Sequence, residues 1–164
     1  MCQRKYERVD TLTIDQVVKA VINRDIEEKN HFATKPENRT FQNLPKRSNC
    51  AGHMLRLNSV RLQTFSLFGT DCITCGIQGK FFAVERELGS TNGYHANLYA
   101  VDEDGNEVMM THDHILARSL GGVDNTSNTQ TMCTHCNAAK SVIERQILKK
   151  RKETGMIKSL KKAA

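Results

Sequence analysis

The stretch THDHILARSLGG, residues 111–122, sets two histidines and an aspartate ahead of a glycine pair. Alone, it reads as a strand end, as a metal site, or as a catalytic base beside a metal ligand. Its surroundings narrow the choice. Upstream, ANLYAVDEDGNEVMMTHDHI (96–115) alternates on either side of Asp104-Gly105, a turn pair, and predicts a β-hairpin whose second strand ends at the motif. FFAVER (81–86) adds another strand-like run. Downstream, LARSLGGVDNTSNTQTM (116–132) reads as a polar loop. A helix follows from about Asn137, with Ala139, Ile143 and Ile147 on one face packing toward the cysteine site, and it fades into basic residues before Gly155.

Four of the six cysteines form two Cys-x-x-Cys pairs, Cys72/Cys75 and Cys133/Cys136, which bracket the hairpin and the motif. Two intervening residues let both sulfurs of a pair point inward, so the pairs predict a closed four-thiolate cage for structural zinc. Redox dithiols are the competing reading, but a thioredoxin-like motif wants a βαβ setting that this sequence lacks. A closed cage leaves zinc no open position, so its role is folding and any catalysis belongs elsewhere. With 38% apolar residues and no Trp, a chain of 164 residues benefits from such a staple.

TIDQVVKAVINRDI (13–26) spaces Ile14, Val17, Val18, Val21, Ile22 and Ile26 as an amphipathic helix, opened by Thr13 and Gln16 as a capping box. Residues 33–52 are polar, hold both prolines and read as a linker. HMLRLNSVRLQTFSLF (53–68) predicts a second helix up to Gly69. The organisation expected is an N-terminal helix and linker at 1–52, a zinc-stapled domain at 53–152 and a basic tail at 153–164. No stretch approaches the roughly 18 apolar residues of a membrane span, and the N-terminal residues show no signal peptide. An intracellular, cytoplasmic protein with reduced thiols and no membrane partner is expected.

The formal charge is +6, and its distribution is uneven. Beyond Lys140 stand Arg145, Lys149, Lys150, Arg151, Lys152, Lys158, Lys161 and Lys162 against Glu144 and Glu153, which accounts for the whole surplus. The bland reading is a solvated helix; the sharper one is contact with a polyanion, most simply nucleic acid. Should the tail stay solvated, Arg39, Lys46, Arg47, Arg56 and Arg61 are the alternative basic surface.

Taken together, THDHILARSLGG, NTQTMCTHCNAAKS (128–141) and the bracketing cysteine pairs resemble the HNH endonuclease family, over roughly Cys72 to Ser141. Asp113-His114-Ile115 with Gly121-Gly122 resembles the family's first element, Asn128 the middle asparagine, and Asn137 the residue that opens the helix. The resemblance implies an α+β fold: a ββα-metal core with structural zinc, an inserted β-hairpin and flanking helices. It implies a small stand-alone enzyme of the phage type, acting on DNA in the host cytoplasm if phage-encoded. Homing, packaging, restriction and junction-resolving roles all share this core.

In that setting Asp113 and Asn137 would supply hard oxygen ligands for Mg²⁺ or Mn²⁺, and His114 would take a proton from the attacking water. Asn128 would brace the loop. Taken singly, Asp113 and Asn137 also suit a turn and a helix cap. His112, two residues from His114, reads as a surface histidine, and His135 as exposed on the cysteine knuckle. Lys140, Arg145, Lys149, Lys150, Arg151 and Lys152 are the expected phosphate contacts, with a surface lysine as the plain alternative for Lys140. A non-catalytic zinc module that binds nucleic acid would need the cysteines and lysines, but not Asp113, His114 and Asn137 together.

Overall fold

The computed structural model describes residues 5–34 and 47–154. Arg39, Lys46, Lys158, Lys161 and Lys162, together with the prolines of the linker, lie outside the described residues. Among the described residues seven strands and three α-helices run in the order β1 (Tyr6–Leu12), α1 (Ile14–Thr34), β2 (Ser48–Cys50), β3 (His53–Leu55), α2 (Val60–Phe68), β4 (Gly79–Glu87), β5 (His95–Val101), β6 (Glu107–His114), β7 (Thr129–Cys133) and α3 (Thr134–Glu153). No helix among the described residues is long and apolar enough to cross a membrane. The mixed helix and sheet content is that of an α+β fold.

The main sheet has the order β1-β4-β5-β6-β7, and every neighbouring pair is antiparallel. Its central hairpin turns at Asp104-Gly105 as expected: Asp102 Oδ1 accepts from the backbone N–H groups of Asp104 and Asn106, and Gly105 adopts φ +82°. β6 serves two neighbours in succession. Its first residues pair with β5 through Tyr99–Val101, while Met110 to His114 pair with β7.

One face of the sheet packs on the helices. Phe82, Val84, Leu98, Ala100, Met110 and Met132 form one core with Val17, Val21, Leu62 and Phe65. α1 opens with the expected reciprocal cap, Gln16 N–H donating to Thr13 Oγ1 (3.2 Å) and Thr13 N–H to Gln16 Oε1 (2.8 Å). Its buried stripe is narrower than expected, because Ile22 and Ile26 are exposed. α2 begins later than the periodicity suggests. His53–Leu55 pair with Ser48–Cys50 in a two-stranded ribbon, and Ser59 caps the helix at Val60. Two hydroxyl contacts fix α2 and its end to β7: Thr64 Oγ1 to Thr129 Oγ1 (2.7 Å), and Thr131 Oγ1 donating to Gly69 O (2.7 Å).

The other face carries a polar network in place of a second helical layer. Glu85, only 1% exposed, accepts from Tyr99 Oη (2.6 Å), Asn97 Nδ2 (2.8 Å) and Arg8 Nε (3.3 Å). Arg8 also grips Glu107 with both terminal nitrogens and lies over the Tyr99 ring. These contacts satisfy a carboxylate that would be costly to bury alone.

Two expectations are corrected here. The division at residue 52 does not coincide with a break in the core, since β1 is a strand of the main sheet and Leu12, Val17 and Val21 belong to the same cluster as Phe82. Nor do Ile143 and Ile147 pack on the cysteine site: they are 58% and 39% exposed, and α3 has no buried residue.

Candidate functional site

β6, β7 and α3 form a strand-strand-helix unit, and the cysteines set its angle. Cys133 ends β7, caps α3 and accepts from Cys136 N–H through its sulfur (3.4 Å). The first pair sits on a tight turn, Gly76 N–H donating to Cys72 O (2.8 Å), with Gly76 at φ +76°. Ile73 N–H then donates to Thr131 O, tying that turn to β7.

The four sulfurs lie within 4.8 Å of one another, and Cys75 Sγ stands 3.8 Å from Cys133 Sγ. A tetrahedral zinc with arms of about 2.3 Å has edges of about 3.8 Å, so the cage fits such an ion. Burial raises the Cys136 thiol, and Cys133, Cys75 and Cys72 raise it further; burial also raises Cys72, but backbone N–H groups of Cys133, Cys75 and Thr74 outweigh it and bring that thiol to about 6.

An open cavity of about 270 Å³ lies between β6, the following loop and α3, and Asp113, His114, Asn137, His112, Arg118 and Glu144 help to line it. Asp113 is 7% exposed, and its Oδ2 receives Lys140 Nζ (2.5 Å) and Gln130 Nε2 (2.9 Å). Gln130 is its cross-strand partner on β7. Oδ1 of Asp113 takes no protein hydrogen bond among the described residues. Asn137 stands in the first turn of α3 and donates from Nδ2 to Thr111 Oγ1 (3.0 Å), and among the described residues its Oδ1 has no protein donor. Two oxygens of the hard type preferred by Mg²⁺ and Mn²⁺ are therefore unclaimed on one cavity, which fits the donor set expected for such a cation.

His114 Nε2 meets Asp124 Oδ1 at 2.9 Å. The carboxylate can only accept, so Nε2 carries the hydrogen and the neutral ring keeps its lone pair on Nδ1. The imidazole bond holds the Asp124 carboxyl below its usual range, and Arg118 at 3.5 Å adds to this. His112 is half-buried beside His114, ring centroids 5.7 Å apart, and is not the surface histidine expected. Burial, then Arg61 and His114, pushes its pKa down.

Asn128 ties the loop together. Its side chain accepts from Leu116 N–H (3.0 Å) and donates to Leu116 O (3.0 Å) and Val123 O (2.9 Å), while its carbonyl receives Ile115 N–H (2.8 Å). Gly122 makes this possible: a Cβ there would lie 1.8 Å from Leu116 O and 2.7 Å from Asn128 Nδ2.

Residues 102–151 match the HNH endonuclease family model. The chain carries an HNH domain. No curated protein and no solved structure matches it. The matched span covers β6, β7 and all but the end of α3, but not Cys72 and Cys75, so half of the sulfur cage comes from outside it.

Lys140 of the HNH domain is corrected from a phosphate contact to an inward ion pair. It is 23% exposed, also reaches Glu144 Oε1 (3.2 Å), and donates to His114 O. Arg145, Lys149, Lys150 and Lys152 are exposed on α3, and Arg151 is partly so. Sequence reasoning missed Asp124, Glu144 and the pairing of Lys140 with Asp113. Glu144 had a legible signal, four residues after Lys140 on one helix face. Asp124 had none, because loop closure alone brings it to His114.

Proposed function

We propose that this protein is a metal-dependent DNA endonuclease that hydrolyses phosphodiester bonds with His114 as general base. The reading is carried by one observation: Asp113, His114 and Asn137 line a single open cavity, where among the described residues Asp113 Oδ1 and Asn137 Oδ1 have no protein donor and His114 Nε2 is engaged by Asp124. Asp113 Oδ1 and Asn137 Oδ1 would hold Mg²⁺ or Mn²⁺, and such a cation offsets charge growing on the phosphate and the leaving oxygen.

Nδ1 of His114 takes the proton of a water whose oxygen bonds to phosphorus as the bond to the leaving oxygen breaks. Asp124 keeps the ring in the tautomer with that lone pair and stabilises the imidazolium that forms. Lys140 and Gln130 fix the Asp113 carboxylate through Oδ2. Asn128 holds the loop after His114. Arg145, Lys149, Lys150, Arg151 and Lys152 attract the DNA backbone, and the four cysteines hold a structural zinc.

Plasmid nicking with Mg²⁺ or Mn²⁺ tests the reading. His114→Ala is expected to lower the rate by about 10²–10⁴-fold with the fold intact, the usual contribution of a general base. Near-parental nicking by that variant would move the base elsewhere. A parent that binds DNA but never cuts it would leave a non-catalytic nucleic-acid module.

A further inference from the structure

We infer that Arg47, Arg56, Arg61 and His95 form a second surface for the phosphodiester backbone of nucleic acid, separate from α3. This deepens the nuclease reading and rests on it. Arg47 precedes β2 and donates from Nη1 to Met54 O (2.9 Å) and Tyr94 O (2.7 Å). Arg61, in the first turn of α2, donates from Nη2 to Ala96 O (3.2 Å). The two guanidiniums thus grip the carbonyls on either side of His95. Arg56 follows β3 and is exposed, as is His95.

The strand pairing explains why this place is open. β5 pairs with β6 only over Tyr99–Val101, whereas Met110 to His114 turn to β7, so His95–Leu98 have no partner on β6. A cavity of about 220 Å³ lies there, lined by Arg61, Arg86 and His95 and also by Tyr6, Asn97 and Glu87. Burial, then Arg61, Arg47 and Arg56, lowers the pKa of His95.

The charge pattern points to the ligand. Arg8, Arg86, Arg118 and Lys140 each have a carboxylate within ion-pair distance, but among the described residues Arg47, Arg56 and Arg61 have none. Glu85 offsets Arg61 in part, but three guanidiniums with no ion-pair partner among the described residues repel one another, and a string of phosphates relieves that repulsion. Guanidinium forks match phosphate oxygens, and each arginine retains N–H donors beyond those given to the carbonyls.

The test is fluorescence anisotropy of a labelled DNA duplex against salt, with full-length protein and no added divalent cation. Each lost phosphate contact should reduce the slope of log affinity on log salt by about 0.9, and affinity near 0.15 M salt by about five-fold. Arg56→Gln and Arg61→Gln are each expected to show this loss, with the double variant losing both. Among the described residues Arg56 makes no hydrogen bond, so Arg56→Gln decides the matter if Arg61→Gln lowers the thermal midpoint. If Arg56→Gln keeps parental affinity and slope while the parent nicks plasmid DNA, this surface falls and the nuclease reading stands. A parent that neither binds nor nicks DNA removes both. Weaker binding of polyglutamate by Arg56→Gln, with its DNA slope unchanged, would overturn the proposal in favour of an acidic protein partner.

Discussion

Asp124 contributes one hydrogen bond, yet it decides which nitrogen of His114 is basic. An asparagine there could donate its amide N–H to Nε2, which would move the imidazole hydrogen to Nδ1 and remove the lone pair from that nitrogen. Asp124→Asn is therefore expected to lower kcat by about 10–10³-fold with little change in KM, whereas Asp124→Glu, which can only accept, should keep more activity. Steady-state kinetics on a plasmid or oligonucleotide separates the two terms. Equal losses for Asn and Glu, or a loss confined to KM, would show that the carboxylate holds the loop and not the tautomer. The motif residues themselves were legible as a group, for Asp113, His114 and Asn137 line one cavity and Asn128 hydrogen-bonds within the loop beside it. Their partners were not, since Asp124 and Gln130 arrive through loop closure and strand register, which no local spacing encodes.

At the scale of elements, legibility followed apolar content. The hairpin of β5 and β6 and the start of α1 were readable because their buried side chains are apolar and periodic. β7 was read as loop, for its buried positions include Thr129 and Thr131, whose hydroxyls are satisfied by α2 and its end. β1 shows no apolar alternation, since most of its side chains are exposed and only Leu12 reaches the core. α3 is the opposite failure: its apolar stripe suggested packing that it does not make. With no buried residue, the helix is held by the sulfur cage and by Asn137 and Lys140. Removing zinc with a chelator, or replacing Cys136 with Ser, is therefore expected to release α3 first. Far-UV circular dichroism should lose a helical signal matching this helix at temperatures where the sheet core survives, and nicking should vanish with it. An unchanged spectrum and midpoint would mean the cage is not what holds α3.

For the whole molecule, one core means that the N-terminal segment cannot be spared. Leu12, Val17 and Val21 are buried, and each such side chain stabilises by about 1.5–3 kcal/mol. Their joint loss is comparable with the roughly 5–15 kcal/mol that holds a domain together. A fragment beginning at residue 53 contains every residue of the HNH domain, yet it is expected to lack a cooperative thermal transition. A fragment that melts sharply near the parental midpoint would restore residue 52 as a true boundary.

The start of α3 at Cys133 carries one more consequence, for changes in chain length. A helix advances about 100° per residue, so Asn137 and Lys140, four and seven residues on, return to nearly the direction of Cys133. Metal cage and carboxylate pocket are thus in phase along a single screw. Substitutions at His135, Ala138 and Ala139, which face solvent, leave that phase untouched. One inserted or deleted residue between Cys136 and Asn137 would swing both side chains about 100° away from β6. This segment should therefore accept many changes of letter and no change of length.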